Sequence, residues 1–438
     1  MQPTFRALLG ATALTAVAAA AQAQTVTIAT VNNGDMIRMQ GLTQDFTEQH
    51  PDIDLEWVTL EENVLRQRVT QDIATGGGQF DVMTIGNYEV PIWANQGWLT
   101  PLEDMPEGYD ADDILPAIAG GLSVDGTLYA APFYGESAMV MYRTDLAEEA
   151  GVEIPDQPTW ADIKTAAEAM TNEENEIYGI CLRGKAGWGE NMALITAMSN
   201  SYGARWFDMD WQAQFDSPEW EATLTDYLDL MNNYGPPGAS SNGFNENLSL
   251  FQQGKCGMWI DATVAASFVT DEDDSTVADS VGFAQFPNKE GVDNRGNWLW
   301  SWNLAIPASS EATDAAKTFV AWATSKGYTE LVTEEEGWAA APPGTRTSLY
   351  ENGDYQEAAP FAEMTLNQIN AVDTKKPSVQ EIPYTGAQFV AIPEFQGIGT
   401  AVGQQFSAAL AGQTDAATAL QNAQRVTQRE IDRAGYTD

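Results

Sequence analysis

The chain is 438 residues long, which is more than one hydrophobic core usually organises, so its length predicts two domains. Its 63 Asp and Glu residues against 20 Lys and Arg residues give a formal net charge of −43, which argues against nucleic acid or an anionic membrane surface as a partner. The one histidine, His50, cannot supply the imidazole groups of a zinc site or a hydrolytic triad, so we expect no catalytic residue, no metal and no cofactor.

Residues 1–23 have the pattern of a secretory signal peptide. Arg6 supplies an early positive charge, residues 7–21 are mainly apolar, and small residues precede Gln24. We therefore expect the mature, exported chain to begin near Gln24. No Cys stands at that point and no Arg pair precedes the apolar run, which argues against a lipid anchor and a twin-arginine signal.

The first part of the mature chain alternates between strand and helix patterns. In chain order the segments are 25–31 (strand), 36–50 (helix), 53–60 (strand), 63–77 (helix) and 80–86 (strand). This alternation predicts an α/β domain with a parallel sheet, in which ligands bind beyond the carboxyl ends of the strands. Polar residues follow all three strands, and Asn33, Glu62 and Tyr88 are candidates for ligand binding there.

Three tryptophans alternate in the segment 297–307, at Trp298, Trp300 and Trp302. If the segment is a strand, all three indoles lie on one face. They could form part of a hydrophobic core, since each buried indole removes a large apolar area from water. Alternatively they could form a flat surface for the C–H face of a polyhydroxylated ligand.

Cys181 and Cys256 are the two cysteines of the chain. An exported protein reaches an oxidising compartment, so we expect a disulfide between them. The alternative is a pair of buried, inert thiols.

Several long stretches resemble one family. They are "PLEDMPEGYDADDILPAI", "GTLYAAPFYGESAMVMYRTDLAEEAGVEIPDQPTWADIKTAAEAM", "FQQGKCGMWID" and "SWNLAIPASSEATDAAKTFVAWATS". Together they resemble the extracellular solute-binding proteins that serve sugar-importing ABC transporters, in the maltose-binding-like cluster. The stretches "YGES", "GKAGWGEN", "YGPPGASSNGFNENLSLFQQGKCGMWIDATVAASF" and "PPGTRTS" further resemble the sorbitol and mannitol binding subgroup.

The resemblance implies an α/β fold of the two-lobed periplasmic binding protein kind, class II-like and maltose-binding-like. Each lobe would be a mainly parallel sheet covered by helices. Lobe one would cover residues 24–133 and 304–340, and lobe two residues 134–303 and 341–438. The chain would cross between the lobes in a hinge of several segments, near residues 132–136, 298–303 and 337–345.

The resemblance also implies a function. The protein would be a periplasmic, monomeric component of an ABC importer that captures a polyol between two closing lobes and delivers it to permease subunits in the membrane. It would not be an enzyme. One alternative keeps the fold but binds another mono- or oligosaccharide. A more distant alternative is a secreted glycoside hydrolase, with Glu136 and Asp261 as the acid and base.

A ligand rich in hydroxyl groups needs carboxylate, amide and guanidinium partners, because a buried hydroxyl without a partner is costly. Such groups next to aromatic side chains give the set of candidate ligand-binding residues: Asn33, Glu62, Tyr88, Glu136, Arg183, Trp188, Asn191, Trp259, Asp261, Trp300, Trp302, Trp338 and Arg346. Trp298 is expected to pack behind the site.

Several candidates have a structural alternative. Asp261 could cap the helix that follows it, Arg183 could pair with a surface acid, and Glu136 could hold the hinge through backbone hydrogen bonds. Arg346 could face the cleft or tie the lobes together. The candidates that could serve the core alone are Trp188, Trp259 and Trp338.

Overall fold

The computed structural model describes residues 23–106, 108–294 and 296–437. The predicted signal peptide lies outside the described residues except for its last position, so it stays a prediction. Within the described part of the chain, no helix is both long enough and apolar enough to cross a membrane.

The described residues contain ten β-strands in two main sheets and one small hairpin. In chain order they are β1 (Gln24–Val31), β2 (Ile53–Leu60), β3 (Val82–Gly86), β4 (Ser123–Val124), β5 (Thr127–Leu128), β6 (Ala130–Glu136), β7 (Ala138–Arg143), β8 (Met258–Ala262), β9 (Val281–Gln285) and β10 (Trp300–Ala305). The first sheet has the order β2–β1–β3–β10–β6, the second has the order β8–β7–β9, and β4 pairs with β5.

Eighteen α-helices surround these sheets in the same described ranges. They are α1 (Gly34–Gly41), α2 (Thr43–Gln49), α3 (Glu62–Thr75), α4 (Glu89–Asn95), α5 (Pro116–Leu122), α6 (Thr144–Ala150), α7 (Trp160–Met170), α8 (Asn191–Ser201), α9 (Pro218–Tyr234), α10 (Phe244–Gln252), α11 (Ala265–Val269), α12 (Thr313–Ala323), α13 (Lys326–Glu336), α14 (Thr347–Tyr350), α15 (Gly353–Ala358), α16 (Ala362–Ala371), α17 (Phe395–Leu410) and α18 (Ala416–Ala434).

Local sequence accounts for where many helices begin and end. The side chains of Asn33, Ser217 and Asp415 accept backbone N–H groups at the first turns of α1, α9 and α18. Gly76 ends α3 in a left-handed conformation. The single helix predicted over residues 36–50 is instead the two helices α1 and α2, which meet after Gly41, a residue of low helix propensity.

The first sheet combines the predicted parallel pairs with two antiparallel pairs. β1 pairs in parallel with β2 and β3, whereas β10 lies antiparallel between β3 and β6. Helices α3 and α12 pack against β1, and α5 packs against β6. We call the body built on this sheet the first lobe.

The second sheet is antiparallel, so the prediction of a mainly parallel sheet in each lobe is wrong for this sheet. β8 and β9 both run antiparallel to β7, which lies between them. β7 follows β6 after the single residue Ser137 but belongs to the second sheet, where both of its neighbours run in the opposite direction. We call the body built on this sheet, with its helices α6 to α11 and α16 to α18, the second lobe.

The chain passes from the first sheet into the second between β6 and β7, and the hinge positions remain predictions. Ser137 joins β6 to β7, and its hydroxyl donates to the backbone carbonyl of Trp298 on the returning segment at 2.8 Å. The side chain of Asn297 accepts from Ala138 N at 2.9 Å and joins the same two segments. A third segment passes so close that a Cβ atom on Gly344 would lie 2.0 Å from the carbonyl oxygen of Gly135. The lobe limits by residue number remain predictions.

A disulfide joins Cys181 to Cys256, as the cysteine count favoured. It closes a long loop, since 75 positions separate the two residues. Both residues are buried, and Cys181 N donates to the carbonyl of Met258 on β8 at 2.8 Å. The bridge therefore fixes the segment before Arg183 to the edge of the second sheet.

The double variant Cys181→Ser/Cys256→Ser is expected to lower the free energy of unfolding by about 2–4 kcal/mol, because the unfolded chain regains the freedom of the closed loop. Urea unfolding of the oxidised protein and the variant measures this difference. Equal unfolding midpoints would contradict a stabilising role for the bridge.

Candidate functional site

A cleft lies between the lobes and contains two adjoining cavities. The residues that line both cavities are Glu62, Glu136, Arg183 and Trp302. Residues that line only one of them include Asn33, Lys185, Glu190, Phe244, Arg66, Trp188, Trp298, Trp300 and Gln388. The first lobe contributes the polar residues beyond β1 and β2, as predicted for strand ends, and the second lobe contributes the loop after Cys181 and the start of α10.

Arg183 brings a buried positive charge to the cleft. Its Nε donates to both carboxylate oxygens of Asp261, at 2.9 and 3.2 Å, and its Nη2 donates to Asp261 Oδ1 at 2.6 Å. Its Nη1 donates to the carbonyl of Gly189 at 3.1 Å. Burial lowers the pKa of Arg183, but the neighbouring carboxylates, first that of Asp261, more than offset this effect and raise the pKa above its ordinary value.

Glu136 ends β6 at the floor of the cleft and is 6% exposed. No hydrogen bond or ion pair of its carboxyl group is found among the described residues. Burial raises the pKa of Glu136 well above its ordinary value, and the like charges of Asp261 and Glu62 add to the effect, although Arg183 opposes it. The carboxyl group is therefore a buried polar group with unused hydrogen-bonding capacity.

Glu190 is the second buried carboxyl group of the cleft. It lies 3.6 Å from Arg183 and 3.4 Å from Lys185. Its Oε2 makes no hydrogen bond within the described ranges. Burial, followed by the like charge of Glu62, raises the pKa of Glu190 to about 8.

Arg66 was missed by the sequence analysis, although it lies in the first turns of a helix that follows a predicted strand. The centre of its guanidinium lies 4.1 Å from the ring centre of Trp188, and 4.7 Å from those of Trp300 and Trp302. The alternation of Trp300 and Trp302 along β10 places both indoles on this face of the sheet. Gly86 leaves space for the indole of Trp300, because a Cβ atom on this glycine would lie 1.9 Å from that ring.

Trp298 also lies in the cleft, although it was expected to pack behind the site. It precedes β10, and its ring centre lies 5.8 Å from the guanidinium of Arg183. Its indole N–H is buried and, in the part of the chain that the structure describes, has no acceptor. A buried donor of this kind costs free energy unless a water or ligand accepts from it.

Seven of the predicted residues line the cavities: Asn33, Glu62, Glu136, Arg183, Trp188, Trp300 and Trp302. Asn33 donates to the hydroxyl of Tyr134 at 2.7 Å and also caps α1. Six others are placed outside the cavity walls: Tyr88, Asn191, Trp259, Asp261, Trp338 and Arg346. Their roles in ligand contact remain predictions.

Most of these six residues have structural contacts. Tyr88 donates to the carbonyl of Ile392 at 2.7 Å, and Asn191 donates to that of Gly403 at 2.9 Å. Trp259 donates to Asp261 at 3.1 Å and so helps to orient the partner of Arg183.

Trp338 and Arg346 lie between α13 and α14, at the predicted third segment of the hinge. Arg346 donates to the carbonyls of Asp110 and Thr324, at 3.0 and 2.8 Å, and its role at the cleft or as a tie between the lobes remains a prediction. Trp338 is half-buried against the hydrophobic core.

Direct contacts between the lobes close the mouth of the cleft. Lys185 of the second lobe pairs with Glu61 of the first. Asn245 donates to the carbonyl of Asn32 at 2.9 Å. Phe268 lies against the start of α1. The arrangement is therefore a closed form in which the buried polar groups face one another.

Comparison with known proteins identifies close relatives. A mannitol-binding protein of Pseudomonas aeruginosa is 55% identical over 436 residues, which cover 100% of this chain and 100% of the relative. The crystal structure of an ABC transporter solute-binding protein from Agrobacterium vitis S4 with bound D-mannitol is 67% identical. It covers 95% of this chain and 100% of its own, with a TM-score of 0.94.

More distant structures share the fold. A solute-binding protein from Agrobacterium radiobacter K84 in complex with ribitol is 24% identical, covers 93% of this chain and 99% of its own, and has a TM-score of 0.82. Residues 33–330 match the bacterial extracellular solute-binding protein family, and the maltose-binding-like resemblance is thus confirmed. This chain belongs to the bacterial extracellular solute-binding protein family and has its two-lobed α/β fold.

Proposed function

We propose that this protein is the periplasmic substrate-binding component of an ABC importer and captures a sugar alcohol of the mannitol or sorbitol type between its lobes. The observation that carries the proposal is its 67% identity, over 95% of the chain, to a solute-binding protein with bound D-mannitol. The proposed partners are the polyol and the permease subunits of the membrane, and the binding protein acts as a monomer.

The chemistry of the cleft suits an uncharged ligand with many hydroxyl groups. Glu136 can accept hydrogen bonds from hydroxyls when ionised, and Trp298 can donate one. Asp261 holds the guanidinium of Arg183 in place, so Arg183 can contact the ligand without changing position. A hexitol brings donors and acceptors to groups that are otherwise buried without partners, which offsets their desolvation.

Closure couples the two halves of this site. Glu62 and Glu136 belong to the first lobe, whereas Arg183 and Glu190 belong to the second, so a ligand satisfies all of them only when the lobes are together. A ligand that binds the closed form more tightly shifts the population toward it. The permease would then distinguish the loaded, closed form from the open one.

The arrangement disfavours the glycoside hydrolase alternative. Asp261 is fully buried, does not line the cavities, and accepts hydrogen bonds from Arg183, Trp259 and the backbone of Ala262. Its carboxylate therefore cannot reach a substrate as the base opposite Glu136. This supports a binding function without catalysis.

Calorimetric titration of the mature chain with D-mannitol, D-sorbitol and ribitol tests the proposal. We expect one-site binding of at least one hexitol. The variant Glu136→Ala is expected to weaken it about 10- to 100-fold, because the hydroxyls lose a buried hydrogen-bonding partner. Glu173→Ala, at an exposed position of the second lobe, serves as the matched control and should bind like the wild type.

Two results would contradict the proposal. One is the absence of heat with every pentitol and hexitol, together with binding of a disaccharide, which would favour the oligosaccharide alternative. The other is unchanged hexitol affinity in Glu136→Ala, which would move the ligand away from this cleft.

The buried carboxyl group of Glu190 also predicts a pH dependence of stability without ligand. Its pKa is about 8 in the folded chain against an ordinary 4.5, so the folded state keeps a proton that the unfolded state has released. The resulting stabilisation is complete below pH 4.5 and is lost as the pH rises toward about 8.

We therefore expect the free energy of unfolding of Glu190→Gln to fall less than that of the wild type between about pH 5 and pH 8, by about 1 kcal/mol or more. Urea unfolding at several pH values measures the difference. Glu173→Gln should follow the wild type. Parallel curves for the wild type and Glu190→Gln would contradict the buried, protonated state of Glu190.

A further inference from the structure

We propose that Arg66 is the residue that makes the cleft select open-chain polyols over ring-form sugars. This inference rests on the proposed function and assigns a specificity role within the same site. It is carried by the position of the Arg66 guanidinium, which lies against the three indoles of Trp188, Trp300 and Trp302 at 4.1, 4.7 and 4.7 Å from their ring centres.

The guanidinium occupies the place where a flat ligand would stack. An aromatic face is apolar and carries a negative quadrupole, so it attracts either a cation or the C–H face of a sugar ring. In this cleft the cation is part of the protein. A pyranose ring that approached these indoles would have to displace Arg66 and break its ion pairs.

Arg66 is held firmly in this position by its own lobe. Its Nε and Nη2 donate to Glu62 Oε1 at 3.1 and 2.8 Å, and its Nη1 donates to Glu89 Oε1 at 3.3 Å. Glu89 is itself fixed, because its other oxygen accepts from Gly86 N at 3.0 Å. Arg66 is 5% exposed, so moving it would leave the buried carboxylate of Glu89 without its positive partner.

The edge of the guanidinium remains suited to hydroxyl groups. The three bonds to Glu62 and Glu89 leave further N–H donors on Arg66, and this residue lines the cavity. A flexible polyol can rotate neighbouring hydroxyls to meet such an edge. The hydroxyls of a sugar ring are held at fixed angles and cannot rotate in this way. The ring would also extend toward the indoles and clash with the guanidinium, so we expect Arg66 to disfavour ring-form sugars.

D-Mannitol and D-mannose are the matched ligand pair for the test, because they share a carbon chain but D-mannose is present mainly as a pyranose. Calorimetry would measure both dissociation constants for the wild type, Arg66→Lys and Arg66→Met/Glu89→Gln. The lysine variant keeps the charge without the planar fork, and the double variant removes the charge together with its buried partner. Arg68→Met changes an exposed arginine of the same helix and is the control.

We expect the wild type to bind D-mannitol more tightly than D-mannose. In both Arg66 variants the dissociation constant for D-mannitol should rise about 10- to 100-fold, since charge-assisted hydrogen bonds are lost. The preference for D-mannitol over D-mannose should shrink toward equality, because the planar guanidinium no longer covers the indoles. The Arg68→Met variant should keep both constants, and thermal unfolding should confirm that all variants are folded.

The outcomes separate this inference from the function on which it rests. If the wild type binds D-mannitol but binds D-mannose equally well, or if both Arg66 variants keep the wild-type preference, the assignment of Arg66 is overturned and polyol binding stands. If the wild type binds no polyol, the proposed function fails and the assignment fails with it.

Discussion

The buried ion pair between Arg183 and Asp261 is the interaction on which the cleft depends. Two buried charges of opposite sign are tolerated only when they pair at hydrogen-bonding distance. Here both carboxylate oxygens of Asp261 accept from the guanidinium of Arg183. Asp261 lies on β8 and also accepts from Trp259, while the disulfide at Cys181 fixes the segment that carries Arg183. The second lobe therefore presents a positive charge at a fixed position before any ligand is bound.

The first lobe also has a buried arginine that is paired with carboxylates of the same lobe. Arg66 is fixed by Glu62 and Glu89, so each lobe contributes one arginine that is neutralised by carboxylates of its own. Neither arginine needs the other lobe for its charge balance, and the lobes can separate without leaving a buried charge unpaired. Among the described residues of the cleft, the carboxyl group of Glu136, Glu190 Oε2 and the indole N–H of Trp298 make no hydrogen bond, so a ligand could supply their partners.

The sequence predicted more of the fold than of the candidate site. Strand and helix periodicity predicted β1, β2, β3 and α3 closely, because their apolar spacing reflects burial in a sheet covered by helices. The direction of β7 could not be predicted, since strand pairing depends on how the chain crosses between sheets. Asn33 and Glu62, chosen because they follow predicted strands, line the cavity, and their contact with a ligand stays a prediction. The contacts of Arg66 join four segments distant in sequence and leave no local pattern. Trp300 and Trp302 do lie on one face of β10, but the group that packs against them is the guanidinium of Arg66.

If the protein captures a polyol, the hydroxyls of the ligand supply hydrogen-bonding partners to the buried polar groups of the closed cleft. The crystal structure of this chain with D-mannitol tests this most directly. We expect ligand hydroxyls at hydrogen-bonding distance, about 3 Å, from both the carboxyl group of Glu136 and the indole nitrogen of Trp298. A ligand bound in the cleft that leaves both groups without a partner, or one bound elsewhere on the protein, would contradict the account.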